Sequence, residues 1–140
     1  MYKMANKEII YNFKSKNFLI LGGSGLIGRA LIKNLVKYKA KSITNIDLRK
    51  YNNSYKFYNY IKFDFNNINN FKKFIDKNFN NKKIDVMINT LYPKFENWGK
   101  SNFDHITYEN FSSHLKINSD SFFWSSKIIA DKMRHNKSGS

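Results

Sequence analysis

The stretch LGGSGLIG, residues 21–28, places four of the chain's six glycines within eight positions. It follows the apolar run NFLIL, residues 17–21, which predicts a buried strand, and it leads into a helical pattern over residues 26–39. A glycine-rich turn that leaves a strand and opens a helix is the setting in which backbone N–H groups bind phosphate. The stretch therefore predicts a nucleotide-binding loop.

Two registers of this loop fit a phosphate-binding motif. Gly23, Gly25 and Gly28 give G-x-G-x-x-G, whereas Gly22, Gly25 and Gly28 give G-x-x-G-x-x-G. We assign Gly25 to the approach of the phosphates and Gly28 to close packing of helix against strand. A glycine within a helix costs about 0.5–1 kcal/mol relative to alanine, so Gly28 needs such a reason. Gly22 and Gly23 share the turn, and the sequence does not separate them.

Strands and helices alternate along the rest of the chain. Further strands are predicted at 42–48, 58–65 and 83–91, further helices at 67–79 and 107–136, and loops at 49–56 and 92–106. Thr107 is the expected N-cap of the last helix, with Glu109 in its first turn. This order predicts an α/β fold, a Rossmann-type parallel sheet with helices on both faces, incomplete at the C-terminal side. We expect it to occupy residues 16–140, after an N-terminal extension at 1–15.

Composition narrows the class of protein. The 140 residues are 41% apolar and include no cysteine, which indicates one domain without disulfides. No apolar run approaches the ~18 residues of a membrane span, and the N-terminus has no apolar signal core, so we expect a cytoplasmic protein without membrane contact. The three histidines, His105, His114 and His135, lack metal-ligand spacing, and no metal site is expected.

The formal charge of +15 suggests nucleic-acid binding at first. Nearly all the basic residues are lysines, however, and arginine occurs only at Arg29, Arg49 and Arg134. Asn, Ile, Phe and Tyr are also abundant, as in proteins of A/T-rich genomes. Because the lysines are spread along the chain rather than clustered, we do not expect a nucleic-acid partner.

Acidic residues at the ends of two predicted strands favour a dinucleotide. Asp47 lies 19 positions after Gly28, and a carboxylate about 20 residues after the loop can accept hydrogen bonds from the adenosine ribose hydroxyls. It would repel a 2′-phosphate, which favours NAD over NADP, although Arg49 could bind such a phosphate. Asp64 follows at the end of the third strand, where capping the strand end is the alternative role.

These residues resemble the short-chain dehydrogenase/reductase family. LGGSGLIGRAL resembles its cofactor loop, NIDLR its second-strand acid and KFDF its third-strand aspartate, which contacts the adenine. IDVMINT resembles the strand that carries the family's Asn-Asn-Ala-Gly motif. FSSHLKINSDSFFWSSKIIADKM resembles its long central helix, with Asn118 at the catalytic asparagine position. The resemblance covers residue 16 to the C-terminus.

The resemblance implies an NAD(P)-dependent oxidoreductase that transfers hydride to or from a small carbonyl or alcohol substrate, and a homo-oligomer at full length. It implies that Asn118 is catalytic; on an apolar helix stripe, this amide could instead be satisfied by the neighbouring strand. The implied cofactor-binding residues are Gly22, Gly23, Ser24, Gly25, Leu26, Ile27, Asp47, Leu48, Arg49, Asp64, Phe65, Asn89, Thr90 and Leu91.

The sequence also departs from the family. The Asn-Asn-Ala-Gly stretch reads Asn89-Thr90-Leu91-Tyr92, and Leu26 replaces a loop glycine. The family's catalytic serine and Tyr-x-x-x-Lys pair follow the central helix, whereas the match here, residues 58–62, lies on a predicted strand and is read as chance. We therefore expect a cofactor-binding fragment that is inactive alone. The alternatives are a non-catalytic nucleotide-binding module and an S-adenosylmethionine-dependent methyltransferase.

Overall fold

The computed structural model describes residues 13–94 and 102–140 of the chain. The strands are β1 (Asn17–Leu21), β2 (Ser42–Asp47), β3 (Tyr58–Lys62) and β4 (Val86–Asn89). The helices are α1 (Leu26–Lys37), α2 (Phe71–Phe79) and α3 (Tyr108–His135), with a 3-10 helix (Phe65–Asn70) leading into α2. The alternation of strands and helices is the one predicted, and β2 connects to β3 without a helix.

All four strands run parallel, in the spatial order β3-β2-β1-β4. At its carboxyl end, Leu21 of β1 pairs with Ile46 of β2 on one side and with Asn89 of β4 on the other. The carboxyl ends of the strands therefore meet at one edge, here called the carboxyl edge. The direction of strand addition reverses between β1 and β4, and ligands of open α/β sheets bind beside such a reversal.

Helices cover both faces of the sheet, and the central strand β1 is accordingly an apolar run whose last four residues are all buried. The face under α1 is filled by Phe18, Ile20, Ile32, Leu35, Ala40 and Ile43. The opposite face, under the 3-10 helix, α2 and α3, is filled by Leu19, Leu21, Ile46, Phe65, Phe71, Ile75, Phe79, Ile84, Ile129 and Met133. The predicted Rossmann-type sheet with helices on both faces is confirmed.

The third strand is shorter than predicted. It ends at Lys62 rather than at residue 65, because Phe65 already begins the 3-10 helix. The Asp64 carboxylate accepts a hydrogen bond from Asn66 N at 3.0 Å and so caps that helix. The helix predicted at 67–79 is consequently a 3-10 helix followed by α2.

Three other boundaries shift by a few residues. Helix α1 ends at Lys37, because Lys39 adopts a left-handed φ of 59° that ends the helix. Strand β2 ends at Asp47, one residue early, because the Asp47 side chain turns back onto Arg49 N at 3.0 Å. Strand β4 covers only Val86–Asn89 of the predicted 83–91.

Helix α3 begins as predicted. The Thr107 hydroxyl accepts a hydrogen bond from Asn110 N at 3.2 Å, and Glu109 lies in the first turn. Part of the loop predicted at 92–106, residues 95–101, lies outside the described residues. None of the helices in the described ranges is both long and apolar enough to cross a membrane.

The first and last described residues contact the sheet. The Phe13 ring packs edge-on against Phe18, with centroids 5.5 Å apart, while residues 1–12 of the predicted extension lie outside the described part. At the other end, Ser140 N donates to Asp85 O at 3.0 Å and Met87 N donates to Ser140 O at 2.8 Å. This is the hydrogen-bond pattern of a parallel pair, so Ser140 lies on the outer edge of β4.

Asp85 ties the start of β4 to β1. Its buried carboxylate accepts hydrogen bonds from Asn17 N at 2.8 Å and Asn17 Nδ2 at 2.6 Å, and pairs with Lys83 Nζ at 2.9 Å. Burial alone would raise the pKa of Asp85, but the hydrogen bonds from Lys83 and Asn17 outweigh it and hold this pKa below its ordinary value.

We expect Asp85→Asn to lower the free energy of unfolding by about 1–2 kcal/mol at neutral pH, because hydrogen bonds to a charged group are lost. Because the pKa of Asp85 is lower in the folded than in the unfolded chain, its carboxylate stabilises the fold fully at a pH above the unfolded pKa of about 4. This stabilisation is lost as the pH falls through the folded pKa. The difference between wild type and variant should therefore shrink in acid. Urea unfolding at several pH values measures it, with Asp76→Asn, from an exposed ion pair with Lys72, as the control. Equal stabilities at neutral pH would contradict this expectation.

Candidate functional site

The predicted site residues from all four strands meet at the carboxyl edge. Gly22 follows β1, Asp47 ends β2, Asp64 follows β3 and Asn89 ends β4. Because these strands are parallel neighbours, residues scattered over 22–91 of the sequence line one side of the sheet. The turn from Gly22 to Gly25 and the first turn of α1 occupy the centre of this edge.

The structure assigns different roles to the two glycines that the sequence left unresolved. Gly22 makes the turn out of β1, with a φ of +79°, and a Cβ there would lie 2.7 Å from Thr90 O. Gly23 has no such backbone requirement, but a Cβ would collide with the Asn45 side chain. At Gly28 a Cβ would collide with Gly23 Cα and lie 2.7 Å from Gly22 O. At Gly28, helix α1 thus packs against the turn rather than the strand, in the G-x-x-G-x-x-G register.

The N-terminus of α1 is open. Gly25 precedes the helix, and the nearest atom to a Cβ built there is Gly22 O at 3.4 Å. Leu26 and Ile27 are 82% and 67% exposed, and no described side chain caps the helix. The first turn contains no acidic residue. Unpaired N–H groups and the helix dipole make this position suitable for an anion such as phosphate.

Asp47 lies directly beside the turn. One carboxylate oxygen accepts a hydrogen bond from Ser24 N at 2.8 Å, and the other accepts from Arg49 N at 3.0 Å. The Ser24 hydroxyl donates to Arg49 O at 2.6 Å, which joins the turn to the segment after β2, where Leu48 is partly exposed. A carboxylate has about four acceptor positions, so each oxygen retains room for another donor.

Asn45 is a site residue that the sequence analysis missed. It is completely buried on β2, two positions before Asp47 and therefore on the same side of the strand. Its carboxamide oxygen accepts a hydrogen bond from Gly23 N at 2.9 Å. Its nitrogen donates to Ser24 Oγ at 3.0 Å and to Tyr58 OH at 2.9 Å. The signal in the sequence was an amide on a buried strand face, which requires partners.

Asp64 and Phe65 serve the fold directly. Asp64 caps the 3-10 helix that follows β3, rather than the strand end as the alternative role had it, and remains partly exposed at the carboxyl edge. The Phe65 side chain is buried in the core against Phe63 and Phe71, with ring centroids 5.1 and 5.3 Å away. Its carbonyl accepts a hydrogen bond from Ser121 Oγ at 3.1 Å. The Phe65 side chain is thus directed into the core and away from the solvent at this edge.

The residues at the end of β4 brace the turn and α3. Asn89 Nδ2 donates to Ser125 Oγ at 3.1 Å, and Asn89 Oδ1 accepts from Leu91 N at 3.1 Å. This bend ends β4 before residue 91. The Thr90 hydroxyl donates to Gly22 O at 3.1 Å, so the segment after β4 lies against the glycine turn. Leu91 packs on the core beneath α3.

Asn118 lies on α3 beside the segment that follows β4. Its amide donates to Pro93 O at 3.2 Å and to His114 O, one turn earlier, at 3.0 Å. His114 is buried, and its Nε2 lies 3.1 Å from the hydroxyl of the exposed Tyr92. The structure thereby joins Asn118, His114 and Tyr92 in one polar cluster at the carboxyl edge.

The Tyr-x-x-x-Lys match lies on a strand, as predicted. Tyr58 and Lys62 are the first and last residues of β3, which places their Cα atoms about 13 Å apart, whereas on a helix they would be neighbours. Burial is the main cause that raises the pKa of Tyr58, and its hydroxyl accepts the hydrogen bond from Asn45. Tyr58 therefore belongs to the network beneath the glycine turn and does not form a pair with Lys62.

Comparison with protein families places most of the chain in a known family. The model of the NAD dependent epimerase/dehydratase family matches residues 18–117, which include the glycine turn, both strand-end aspartates and most of the segment leading to Asn118. No curated protein matches the chain. The match confirms the predicted resemblance to short-chain dehydrogenases/reductases at the level of the family.

Solved structures share the fold. A short chain dehydrogenase from Leptospira borgpetersenii with bound NAD+ matches with a TM-score of 0.73 and 24% identity, over 97% of this chain and 53% of that one. The ligand-free aldohexose dehydrogenase of Thermoplasma acidophilum matches with a TM-score of 0.65 and 20% identity, over 83% of this chain and 43% of that one. An NADH-dependent reductase complexed with NAD matches with a TM-score of 0.63 and 17% identity, over 94% of this chain and 59% of that one. The chain thus spans about half the length of these structures, and at these identities the likeness shows the fold.

Proposed function

The chain belongs to the NAD dependent epimerase/dehydratase family, and from this premise we propose that it binds NAD at the carboxyl edge of its sheet. The observation that carries the proposal is the open N-terminus of α1 beside the Asp47 carboxylate. We assign the pyrophosphate to the N–H groups that follow Gly25 and the adenosine ribose to Asp47. Such a pairing of an anion site with a hydrogen-bond acceptor fits the two ends of an adenosine diphosphate group.

Charge favours NAD over NADP in this proposal. The Asp47 carboxylate can accept hydrogen bonds from ribose hydroxyls but would repel a 2′-phosphate. The Asp47 oxygens already hold Ser24 N and Arg49 N, so the carboxylate is fixed in place at the turn. Arg49 has an exposed side chain and would reduce the preference without reversing it.

We assign the reacting end of the cofactor to the segment after β4 and to α3. Asn118 lies against Pro93 O there, and we propose that a small carbonyl or alcohol substrate lies beside its polar cluster with His114 and Tyr92. NAD, when bound, would supply hydride chemistry to such a substrate. Asn118 is proposed as the catalytic residue on this chain. Tyr58 and Lys62 lie at opposite ends of β3, so they do not form a pair that could donate and accept the proton. We therefore propose that the 140-residue chain binds NAD without turning it over.

Calorimetric titration of the chain with NAD+, NADP+ and S-adenosylmethionine tests the proposed function. We expect NAD+ to bind at least about tenfold more tightly than NADP+, since the repulsion of one phosphate by Asp47 costs about 1.4 kcal/mol or more. Tighter binding of S-adenosylmethionine would favour a methyltransferase, and no binding of NAD+ would overturn the proposal. Oxidation of simple alcohols by the chain alone would refute the proposed lack of turnover.

A further inference from the structure

The carboxamide of Asn45 is fully used within the protein. The side chain has no solvent exposure, and each of its hydrogen-bonding groups has a partner: Gly23 N on the oxygen, Ser24 Oγ and Tyr58 OH on the nitrogen. Its orientation is unambiguous, because a backbone N–H can only donate and must face the oxygen. A leucine would fill this position in the core without any of these requirements. Unlike an apolar side chain, the amide connects β2 to the turn through hydrogen bonds to Gly23 N and Ser24 Oγ.

Two neighbouring N–H groups of the turn are held by β2. Gly23 N donates to Asn45 Oδ1 at 2.9 Å, and Ser24 N donates to Asp47 Oδ2 at 2.8 Å. The absence of a side chain at Gly23 lets the Asn45 carboxamide come this close. These bonds direct the two N–H groups toward the sheet, whereas no described side chain caps the N–H groups in the first turn of α1, which begins at Leu26 and Ile27.

We propose that Asn45 is a positioning residue for the cofactor: by holding Gly23 N it fixes the glycine turn and so the N-terminus of α1 at which phosphate binds. This inference rests on the proposed function. Asn45 does not reach the cofactor site itself, because its carboxamide is buried beneath the turn. Its hydrogen bond to Tyr58 connects the carboxamide to β3, while Gly23 N and Ser24 Oγ hold the carboxamide at the turn itself.

Three variants distinguish a role of Asn45 in positioning the glycine turn from a general contribution of Asn45 to the stability of the fold. Asn45→Leu removes both hydrogen bonds between this side chain and the turn, to Gly23 N and Ser24 Oγ, and leaves Gly23 N buried without an acceptor. The Kd for NAD+ should therefore rise at least about tenfold. Asn45→Asp keeps an acceptor for Gly23 N, and its Kd should rise less than that of Asn45→Leu. Tyr58→Phe removes only the bond that does not reach the turn. It should lower the Tm while changing the Kd less than about twofold.

Titration of each variant with NAD+ decides the matter. A Kd for Asn45→Leu within about twofold of wild type, or an equal loss of affinity in Tyr58→Phe, would overturn the proposal. Amide hydrogen exchange of the wild type provides a second test that needs neither a variant nor a cofactor. The Gly23 amide should exchange at least about tenfold more slowly than the amides of Leu26 and Ile27, and equal rates would also overturn the proposal.

These measurements distinguish a failure of the proposed NAD binding from a failure of the role proposed for Asn45. If wild-type chain does not bind NAD+, the proposed function fails, while slow exchange at Gly23 still shows that the turn is held. If NAD+ binds and Gly23 exchanges fast, the proposed function stands and the role of Asn45 is refuted. If Asn45→Leu does not fold, the exchange rates of the wild-type amides decide.

Discussion

Gly28→Ala should destabilise the fold strongly, whereas Gly25→Ala should leave the stability of the fold unchanged and weaken NAD+ binding. An alanine Cβ at position 28 would collide with Gly23 Cα and lie 2.7 Å from Gly22 O, both of them backbone atoms. Overpacking of this kind costs about 1–3 kcal/mol, and more where backbone must move. The gain in helix propensity from glycine to alanine, about 1 kcal/mol, offsets only part of that cost.

Gly25 offers the matched comparison within the same loop. Apart from its chain neighbours, a Cβ there has one atom of the described residues within 4 Å, Gly22 O at 3.4 Å. The backbone angles of −72° and 176° suit any residue. Without cofactor, the free energy of unfolding of Gly25→Ala should therefore lie within about 0.5 kcal/mol of that of the wild type. The methyl group would occupy the open side of the turn, where we assign the pyrophosphate, and should weaken NAD+ binding by about tenfold or more.

Urea unfolding and NAD+ titration of both variants measure this contrast. The account requires a stability loss in Gly28→Ala and an affinity loss without a stability loss in Gly25→Ala. If Gly28→Ala proved as stable as wild type, the packing of α1 on the turn would be wrong. If Gly25→Ala bound NAD+ normally, the phosphate would not lie at this turn.

Asp47→Asn should weaken NAD+ binding by about 10- to 100-fold, because hydrogen bonds to a charged acceptor contribute about 1.5–3 kcal/mol each. The variant loses the negative charge that would attract ribose hydroxyls and that holds Ser24 N at 2.8 Å. It also loses the repulsion of a 2′-phosphate, so NADP+ should lose less affinity than NAD+ and the preference between them should narrow.

Asp64→Asn is the control for the loss of a carboxylate at the same edge. Asp64 caps the 3-10 helix through Asn66 N, and asparagine caps a helix about as well as aspartate. Its Kd for NAD+ should stay within about threefold of wild type. Calorimetry with NAD+ and NADP+ on both variants makes the comparison. If Asp47→Asn kept the wild-type preference for NAD+ over NADP+, the assignment of the ribose to Asp47 would be wrong.

The sequence predicted those features that depend on local patterns. The apolar run at 17–21, the glycine turn and the cap at Thr107 are each encoded within a few consecutive residues, and the structure has them where expected. Parallel pairing followed from alternation, because parallel strands need crossovers. Asp47 and Asp64 could be placed at the same edge because the ends of parallel strands meet there.

Features that depend on contacts between distant segments were not predictable in this way. Gly22 and Gly23 look alike in the sequence, and they differ only because Thr90 lies beside one and Asn45 beside the other. Asn45 itself was missed because its partners are 22, 21 and 13 residues away. The cluster of Asn118 with His114 and Tyr92 likewise needs the segment after β4 to lie against α3.

The most direct test of the central claim is to record amide chemical shifts of the chain while NAD+ is added. We predict that the largest shifts occur at Gly25, Leu26 and Ile27, with smaller ones around Asp47. A cavity of about 260 Å³ at the opposite edge, lined by residues including Lys41, Lys82 and Lys83, offers an anion a competing position. Shifts confined to that edge, or no shifts at the N-terminus of α1, would contradict the account.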